Sequence, residues 1–422
     1  RDAIDLREDV AVVTAERGVI DHEALSAWGE RPVVLTSLPL RIVVGVVGLA
    51  TFSAFLGWGM GFDARPFWGL LVLGQLVALI PREAVSQVIR RIDRPRRDLE
   101  MLARFLARLE CESFQAPLLR RVRERLDGGP SERLRALVMR MEYAEAWRNL
   151  FFAPFAIMLL WTTQMAFSIE AWRRRDGLHI GEWLDALADL EALLSLSGYA
   201  YEHPLDGFPD LVDTGPCFDG VGVAHPLLPT ARAVRNDVHL GRDLQLMLVS
   251  GSNMAGKSSL LRTVGACTVM GLAGAPVRAT SLRLSLLSVG ACMRIQDSLQ
   301  AGVSHFYAEI TRLRQIVDMA GDDERPLLFL LDEILHGTNS YDRRIGAEAV
   351  VRTLVEKGAV GLVTTHDLAL TRIVDTLTPR AVNVHFQDEM VEGRMRFDYT
   401  LRPGVVEKSN AIALMRAVGL DV

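Results

Sequence analysis

Two uncharged runs interrupt an otherwise mixed chain. Ile42 to Phe62 extends for 21 residues without a charge, and after the polar break Asp63-Ala64-Arg65 a second run covers the 15 residues from Pro66 to Ile80. A helix of the first length crosses a hydrocarbon core of roughly 30 Å, whereas the second needs a thinned bilayer or its flanks to do so. Together they predict a helical transmembrane hairpin over 42–81 with both ends on one side. Six Arg against two acids in 82–97 put those ends in the cytoplasm. A buried hairpin inside a water-soluble core gives a similar pattern, and Gly45, Gly48, Gly57, Gly59 and Gly61 suit close helix contact in either setting. The membrane reading is preferred.

On either side the pattern is that of folded protein. Residues 1–41, with eight acids and five Arg, are expected to be an N-terminal helical fragment of the core. From 82 to 205 apolar residues recur at three and four spacing, as in Leu99, Leu102, Phe105, Leu106 and Leu109, which predicts a helical core or lever region. Asp127-Gly128-Gly129-Pro130 reads as a turn, with Ser131 capping the next helix. The 16 basic and 11 acidic residues of 82–148 form a solvated helical face more readily than a phosphate-binding one. Leu150 to Ile169 is a third uncharged run; with Pro154, Thr162, Thr163 and Gln164 inside it, a core helix is favoured over a third membrane segment. The loop Pro204–Pro216 leads into a final unit over 206–422. There, short apolar runs (Leu244–Val249, Leu327–Leu331, Ala359–Val363) alternate with helical stretches, the pattern of a mostly parallel sheet.

Composition narrows the classes. Half of the 422 residues are hydrophobic and 23% are charged, which excludes a disordered chain. The net charge of −5 advertises no global affinity for nucleic acid. Cys111, Cys217, Cys267 and Cys292 form no CxxC pair, so neither a disulfide scaffold nor a cysteine zinc site is expected, and a reducing compartment fits. The first residue is Arg and no secretory signal opens the chain, so a fragment lacking its natural N-terminus is expected. Only three of the 47 basic residues are Lys (Lys257, Lys357, Lys408), which singles out positions where a compact ammonium and a planar guanidinium are not interchangeable.

One of those lysines carries the chemistry. The apolar run ending at Val249 leads into Gly251-Ser252-Asn253-Met254-Ala255-Gly256-Lys257-Ser258-Ser259, a GxxxxGK[ST] loop followed by a helix expected over Ser259–Thr268. Glycines let the backbone N–H groups close around phosphates, and the helix N-terminus adds unpaired donors and a positive dipole end. Lys257 reaches the β- and γ-phosphates, and Ser258 offers a hydroxyl to Mg²⁺. The apolar strand Leu327–Leu331 ends in Asp332-Glu333, where Asp332 holds the metal and Glu333 polarises the attacking water. Gly361-Leu-Val-Thr-Thr-His366-Asp367 brings a third strand to a polar end, with His366 placed to sense the γ-phosphate or orient the water. The loop and the acid pair are expected within reach of one magnesium ion. Gly302-Val-Ser304-His-Phe-Tyr-Ala-Glu309 and Gly337-Thr-Asn-Ser-Tyr-Asp-Arg343 read only as polar loops leading into helices.

At these residues the chain resembles the ATPase domain of the MutS family of DNA mismatch repair proteins. Gly251–Ser259 is similar to that family's P-loop, the segment around Asp332-Glu333 to its Walker B strand and following loop, and the segment ending at His366-Asp367 to its switch histidine. Ala224-His225-Pro226-Leu227, Asn236-Asp237 and Lys408-Ser409-Asn410-Ala411 fit the same pattern. With the hairpin and helical region, the chain is similar to a bacterial branch that carries membrane segments. The resemblance implies an α/β P-loop NTPase fold (MutS- and ABC-like) preceded by an all-α region, ATP and Mg²⁺ as ligands, and a homodimer in which Ser304 acts on the partner's nucleotide. It also implies a DNA role and an inner-membrane location with the ATPase domain cytoplasmic. No mismatch-reading domain and no Phe-x-Glu wedge motif is recognisable. Two functions are therefore expected: ATP hydrolysis coupled to DNA handling or, alternatively, a membrane-tethered switch acting on a protein or lipid partner. An ABC transporter ATPase is disfavoured because no LSGGQ-type signature separates the two Walker segments.

Overall fold

The computed structural model describes residues 20–252, 254–293, 305–321, 325–335, 338–391 and 394–406. The chain divides into two compact units, 1–195 and 196–422.

The first unit is helical among its described residues: α1 (His22–Glu30), α2 (Leu38–Gly59), α3 (Arg65–Leu79), α4 (Arg82–Arg90), α5 (Asp93–Glu110), α6 (Pro117–Glu124), α7 (Pro130–Ala144), α8 (Ala153–Met158), α9 (Trp161–Asp176) and most of α10 (His179–Glu202). The stripe Leu99, Leu102, Phe105, Leu106 and Leu109 of α5 is buried with Leu134, Leu137 and Met141 of α7 and with Trp172 of α9. Spacing alone placed that stripe, because residues three and four apart share a helix face. The expected cap at Ser131 is corrected. Gly129 caps α7 in the left-handed region, Pro130 opens the helix, and Ser131 donates from its backbone N–H and its hydroxyl to the Glu110 carboxylate.

The hairpin α2–α3 buries little. Val44, Gly48 and Thr51 are the buried residues of α2, and Phe67 and Gly74 those of α3. Among the described residues, α2 is the one helix long and apolar enough to cross a membrane, with 17% of its most apolar window buried. α3 reaches that test only together with α4, from which it is bent by 70° at Ile80-Pro81. The third uncharged run splits at Leu160, which takes a positive φ of 50°. The expected core helix describes α9, where Ala166, Phe167 and Ile169 are buried. It describes the first half only in part: Ala156 and Met158 of α8 are buried, but Leu150 and Phe151 are exposed, and the Phe155 ring lies edge-on to Phe52 and Phe55 of α2.

The second unit holds two sheets: β1 (Asp210–Val212), β2 (Cys217–Val223), β3 (Asn236–Gly241), β4 (Leu246–Ser250), β5 (Ser281–Ser285), β6 (Ser288–Cys292), β7 (Leu327–Asp332), β8 (Val360–Thr365), β9 (Ala381–Val391) and β10 (Arg394–Pro403). The larger has the order β10-β9-β4-β8-β7-β6 and is parallel except for the β9–β10 pair. Its central strands read as unbroken apolar runs because both faces are covered. Met247, Val249, Leu328 and Leu330 face α11 (Lys257–Leu272), while Leu246, Leu248, Phe329 and Leu331 pack with α12 (His305–Met319), α13 (Ser340–Glu356) and α14 (Ile373–Leu377). The smaller sheet, β1-β5-β2-β3, corrects the expectation of one mostly parallel sheet: β2 runs antiparallel to both β3 and β5.

All four cysteines are free thiols. Burial pushes the Cys267 thiol up to about 12, and burial with the nearby Glu309 carboxylate pushes Cys292 up to about 11, so both behave as small apolar side chains.

A buried polar knot ties the start of the second unit to the segment preceding β5. Arg278 Nε lies 3.5 Å from Asp206 Oδ2, with both side chains at least 95% buried. The guanidinium also donates to the Leu228 carbonyl and to His203 Nδ1, and the Tyr199 hydroxyl donates to Asp206 at 2.7 Å. Burial and that carboxylate hold the Tyr199 phenol above its ordinary range. Arg278→Ala strands the carboxylate and is expected to cost about 3–5 kcal/mol. A lowered urea midpoint checks this; Arg278→Lys, lacking the fork, is expected to recover less than half of the loss.

Candidate functional site

The site grows from the end of β4. Hydrogen-bonded on both sides by parallel neighbours, that strand delivers the chain to Gly251, whose φ of 147° and proximity to Phe386 leave no room for a side chain: a Cβ there would lie 2.8 Å from the Phe386 carbonyl oxygen. The loop closes at Gly256 (φ 108°), the N-cap of α11. Met254 is left-handed and exposed, Ala255 is buried in the core, and the Ser252 hydroxyl is buried with no hydrogen-bond partner among the described residues. Ser259 is exposed in the first helical turn; Asn253 lies outside the described residues.

Lys257 opens α11 and is buried. Its Nζ donates to the carbonyls of Gly251 (2.8 Å) and Ser252 (3.0 Å) and sits 3.1 Å from Glu333 Oε1. An ammonium directed back into its own loop in this way holds the glycine turn in shape and stands at the helix N-terminus, where anions gather.

The second group comes from β7 and β8. Their parallel register sets Asp332 opposite Thr364. Asp332 Oδ1 accepts from the hydroxyls of Thr364 (2.6 Å) and Ser258 (3.0 Å), so the glycine loop and the strand-end acid meet as expected. Glu333 follows with φ 49°, its N–H donating to Thr364 Oγ1 at 3.0 Å, and its Oε1 lies 3.5 Å from Nδ1 of His366, just past the end of β8. Arg343 of α13 pairs with Asp367 at 3.4 Å across the same hollow, which Thr365 and Arg344 also line. A hydroxyl and a carboxylate sharing one bond are hard oxygen donors, the set that suits Mg²⁺. The orphaned Ser252 hydroxyl and the unpaired N–H groups of the helix start suit phosphate oxygens, so the residues present fit both ligands.

Three residues whose roles spacing did not indicate hold this arrangement. Thr364 joins both acids. Glu309 of α12 is buried, and its Oε1 accepts from the N–H of Leu335, another left-handed residue at φ 60°. Two non-glycine residues with positive φ in one short loop are costly and persist where surrounding bonds impose them. Tyr399, at φ 56°, sets its ring against Gly256 and stays 44% exposed at the lip of the loop. Its carbonyl accepts from Asn236 Nδ2, and Asn236 Oδ1 accepts from Leu401 N, so β3 fixes the irregularity in β10. In the sequence Glu309 stands out only as the end of the polar segment Gly302–Glu309. Asp237 accepts from Gly222 N; His225, which burial and the Arg262 and Arg278 charges push to lower pKa, stands nearby in the chain. Ser304 and Lys408–Ala411 lie outside the described residues.

Strand, glycine loop, helix and neighbouring strand-end acids define the second unit as a P-loop α/β domain. Residues 247–421 match the family model for MutS domain V. The chain is 34% identical over 241 residues to the DNA mismatch repair protein MSH3 of Phaeosphaeria nodorum, covering 55% of this chain and 21% of that protein. It is 34% identical to the DNA mismatch repair protein MutS of Brevibacillus brevis (48% and 24% covered) and 33% identical to the Endonuclease MutS2 of Thermus thermophilus (46% and 25%). It thus spans about a quarter of the length of these relatives.

Glu309→Ala leaves the Leu335 N–H unsatisfied and is expected to lower stability by about 1–3 kcal/mol. Glu309→Gln, which keeps an acceptor, is expected to lose less than half as much; equal urea midpoints for the two variants count against the brace.

Proposed function

We propose that this chain is a MutS-like ATPase that binds and hydrolyses ATP at the β4–α11 loop and couples the cycle to a conformational change serving a DNA-handling role. The observation that carries the reading is the 3.0 Å bond between Ser258 and Asp332 beside the buried Lys257. Gly251–Ser259 hold the phosphates, Ser258 and Asp332 hold Mg²⁺, and the exposed Tyr399 ring offers an apolar face to the base. Bound there, the metal supplies positive charge to the phosphate oxygens. Lys257 exchanges its Glu333 contact for a phosphate oxygen. Glu333, 3.5 Å from His366, then takes the proton of the attacking water as the water oxygen bonds to the γ-phosphorus and the bond to the ADP oxygen breaks. His366 keeps Glu333 oriented and registers the γ-phosphate. From the resemblance we extend the reading to a homodimer, with Ser304 completing the partner's site.

The names of the relatives support DNA as the partner. The exposed apolar surface of α2 and α3 supports a second element of the reading: the hairpin anchors the chain in the bacterial inner membrane with the ATPase domain cytoplasmic.

Lys257→Ala is expected to weaken ATP binding at least tenfold in a titration, the loss of a charge-assisted contact worth roughly 1.5–3 kcal/mol. Glu333→Ala is expected to keep ATP affinity and to lower turnover roughly 10²–10⁴-fold. Turnover unchanged in Glu333→Ala overturns its role. Duplex DNA, matched or mismatched, is expected to alter the ATPase rate with a steep salt dependence; a rate indifferent to DNA leaves the switch without a DNA role. On the membrane reading, the full chain stays with the membrane pellet after alkaline carbonate extraction, and release into the supernatant removes the anchor.

A further inference from the structure

At the foot of the hairpin, where α2 begins, the first unit contains a cavity of about 460 Å³. Thr36, Ser37 and Arg41 line it from the start of α2, and Phe167, Arg174 and Arg175 line it from α9. Arg41 and Arg174 are exposed and have no carboxylate partner among the described residues. Arg175 is tied to Asp176, whose contact raises the guanidinium pKa further. The acid in the wall, Glu170, is already neutralised: it accepts from the Val34 N–H at 2.7 Å and from the buried Arg173. Among the described residues the cavity lining therefore carries a net positive charge, with hydroxyls beside it.

Its other wall is apolar. Val33, Leu35, Leu38 and Ala171 complete the lining, and Leu38 is 63% exposed. One residue beyond Arg41 the uncharged stretch of α2 begins, with Ile42, Val43, Val46 and Leu49 exposed along it. Trp58 and Trp68 stand at the far end of the hairpin, as aromatic residues do at the opposite interface of a bilayer. A 22-residue helix is about 33 Å long, so when α2 spans the hydrocarbon, Arg41 sits at the depth of the headgroups.

We propose that this cavity binds the phosphate of an anionic phospholipid, with Arg41, Arg174 and Arg175 on the headgroup and the acyl chains running down the exposed face of α2. Arginine suits the task because its fork matches phosphate oxygens and stays charged at interfacial depth. The assignment rests on the membrane reading of the hairpin. It deepens that reading by naming the lipid class and the residues that select it. A soluble phosphate anion satisfies the same arginines, but it makes no use of the apolar wall continuous with α2.

The test uses the full chain and the double variant Arg41→Gln/Arg174→Gln. A control, Arg120→Gln/Arg121→Gln, removes two exposed arginines of the α6 region. Each protein is floated with phosphatidylcholine vesicles and with vesicles containing phosphatidylglycerol, and lipid retained in detergent is quantified by native mass spectrometry. Wild type and control are expected to float with both vesicles and to retain phosphatidylglycerol over phosphatidylcholine by roughly tenfold, the order expected of two arginines at a headgroup. The Arg41/Arg174 variant is expected to float equally well and to lose that preference. Flotation without a preference in wild type, or the same preference in the variant, overturns the headgroup site and leaves the anchor standing. No flotation with either vesicle overturns both. Inorganic phosphate displacing phosphatidylglycerol at millimolar concentration assigns the cavity to a soluble anion and overturns the lipid.

Discussion

The register between β7 and β8 fixes where the strand-end acid meets the glycine loop. Parallel pairing sets Asp332 against Thr364, and a single carboxylate oxygen then accepts from one hydroxyl on the neighbouring strand and one on α11. A slip by one residue would turn Asp332 toward the opposite face. Such a slip is opposed on both sides of the sheet, because the same register buries Leu328 and Leu330 against α11 and Phe329 and Leu331 against the other helical layer. The apolar packing that stabilises the sheet is therefore also what aims the acid, and the Thr364 hydroxyl, serving both Asp332 and the Glu333 N–H, carries that register into the loop.

Lys257 illustrates why residue type matters as much as position. A buried ammonium survives only with partners, and here two loop carbonyls and the Glu333 carboxylate provide them within 3.1 Å. A planar guanidinium cannot converge on three acceptors arranged around a point. In a chain where 44 of 47 basic residues are Arg, Lys is retained at this point, and Lys357 uses the same compactness to reach the Val317 carbonyl. The contact with Glu333 also sets the order of events in the proposed cycle, since the carboxylate that must accept a proton is engaged with a cation until a phosphate competes for it.

Much of this was legible in the chain because it is local. Strand, loop and helix around Gly251–Ser258 are encoded in contiguous residues, and β7 and β8 are short apolar runs whose ends carry the polar groups. What was not legible depends on distance. Glu309 acts on Leu335 across 26 positions, and no spacing rule links a helix acid to a loop N–H. The smaller sheet escaped because its strands are partly exposed and broken by polar residues and by Gly220 and Gly222, so they lack the unbroken apolar runs that mark β4, β7 and β8. Ser131 resembled a cap because Ser is a good one; the left-handed glycine before Pro130 took the position, and the serine was used to bind Glu110 instead.

The third uncharged run shows where reading by composition reaches its physical end. From Leu150 to Ile169 the residues are uniformly apolar or small and polar, so any window averages over them, yet the backbone reverses its handedness at Leu160 and divides the run into unlike halves. Beyond that point the side chains face other helices of the core, with Phe167 at 3% and Ile169 at 0% exposure; before it, Ala156 and Met158 are buried while Leu150 and Phe151 exceed 80%. Burial is set by what packs against a segment, and composition reports only what the segment tolerates. The same reasoning separates α2 from the helices of the core. Its apolar side chains point outward over most of its length, and the basic groups gather at the end where the uncharged stretch starts. A helix of a water-soluble core has the reverse arrangement, with its apolar stripe inward and its charges spread along the outer face, as α5 does. The proposed membrane anchor rests on the direction in which this apolar surface faces and on the arginines gathered where α2 begins.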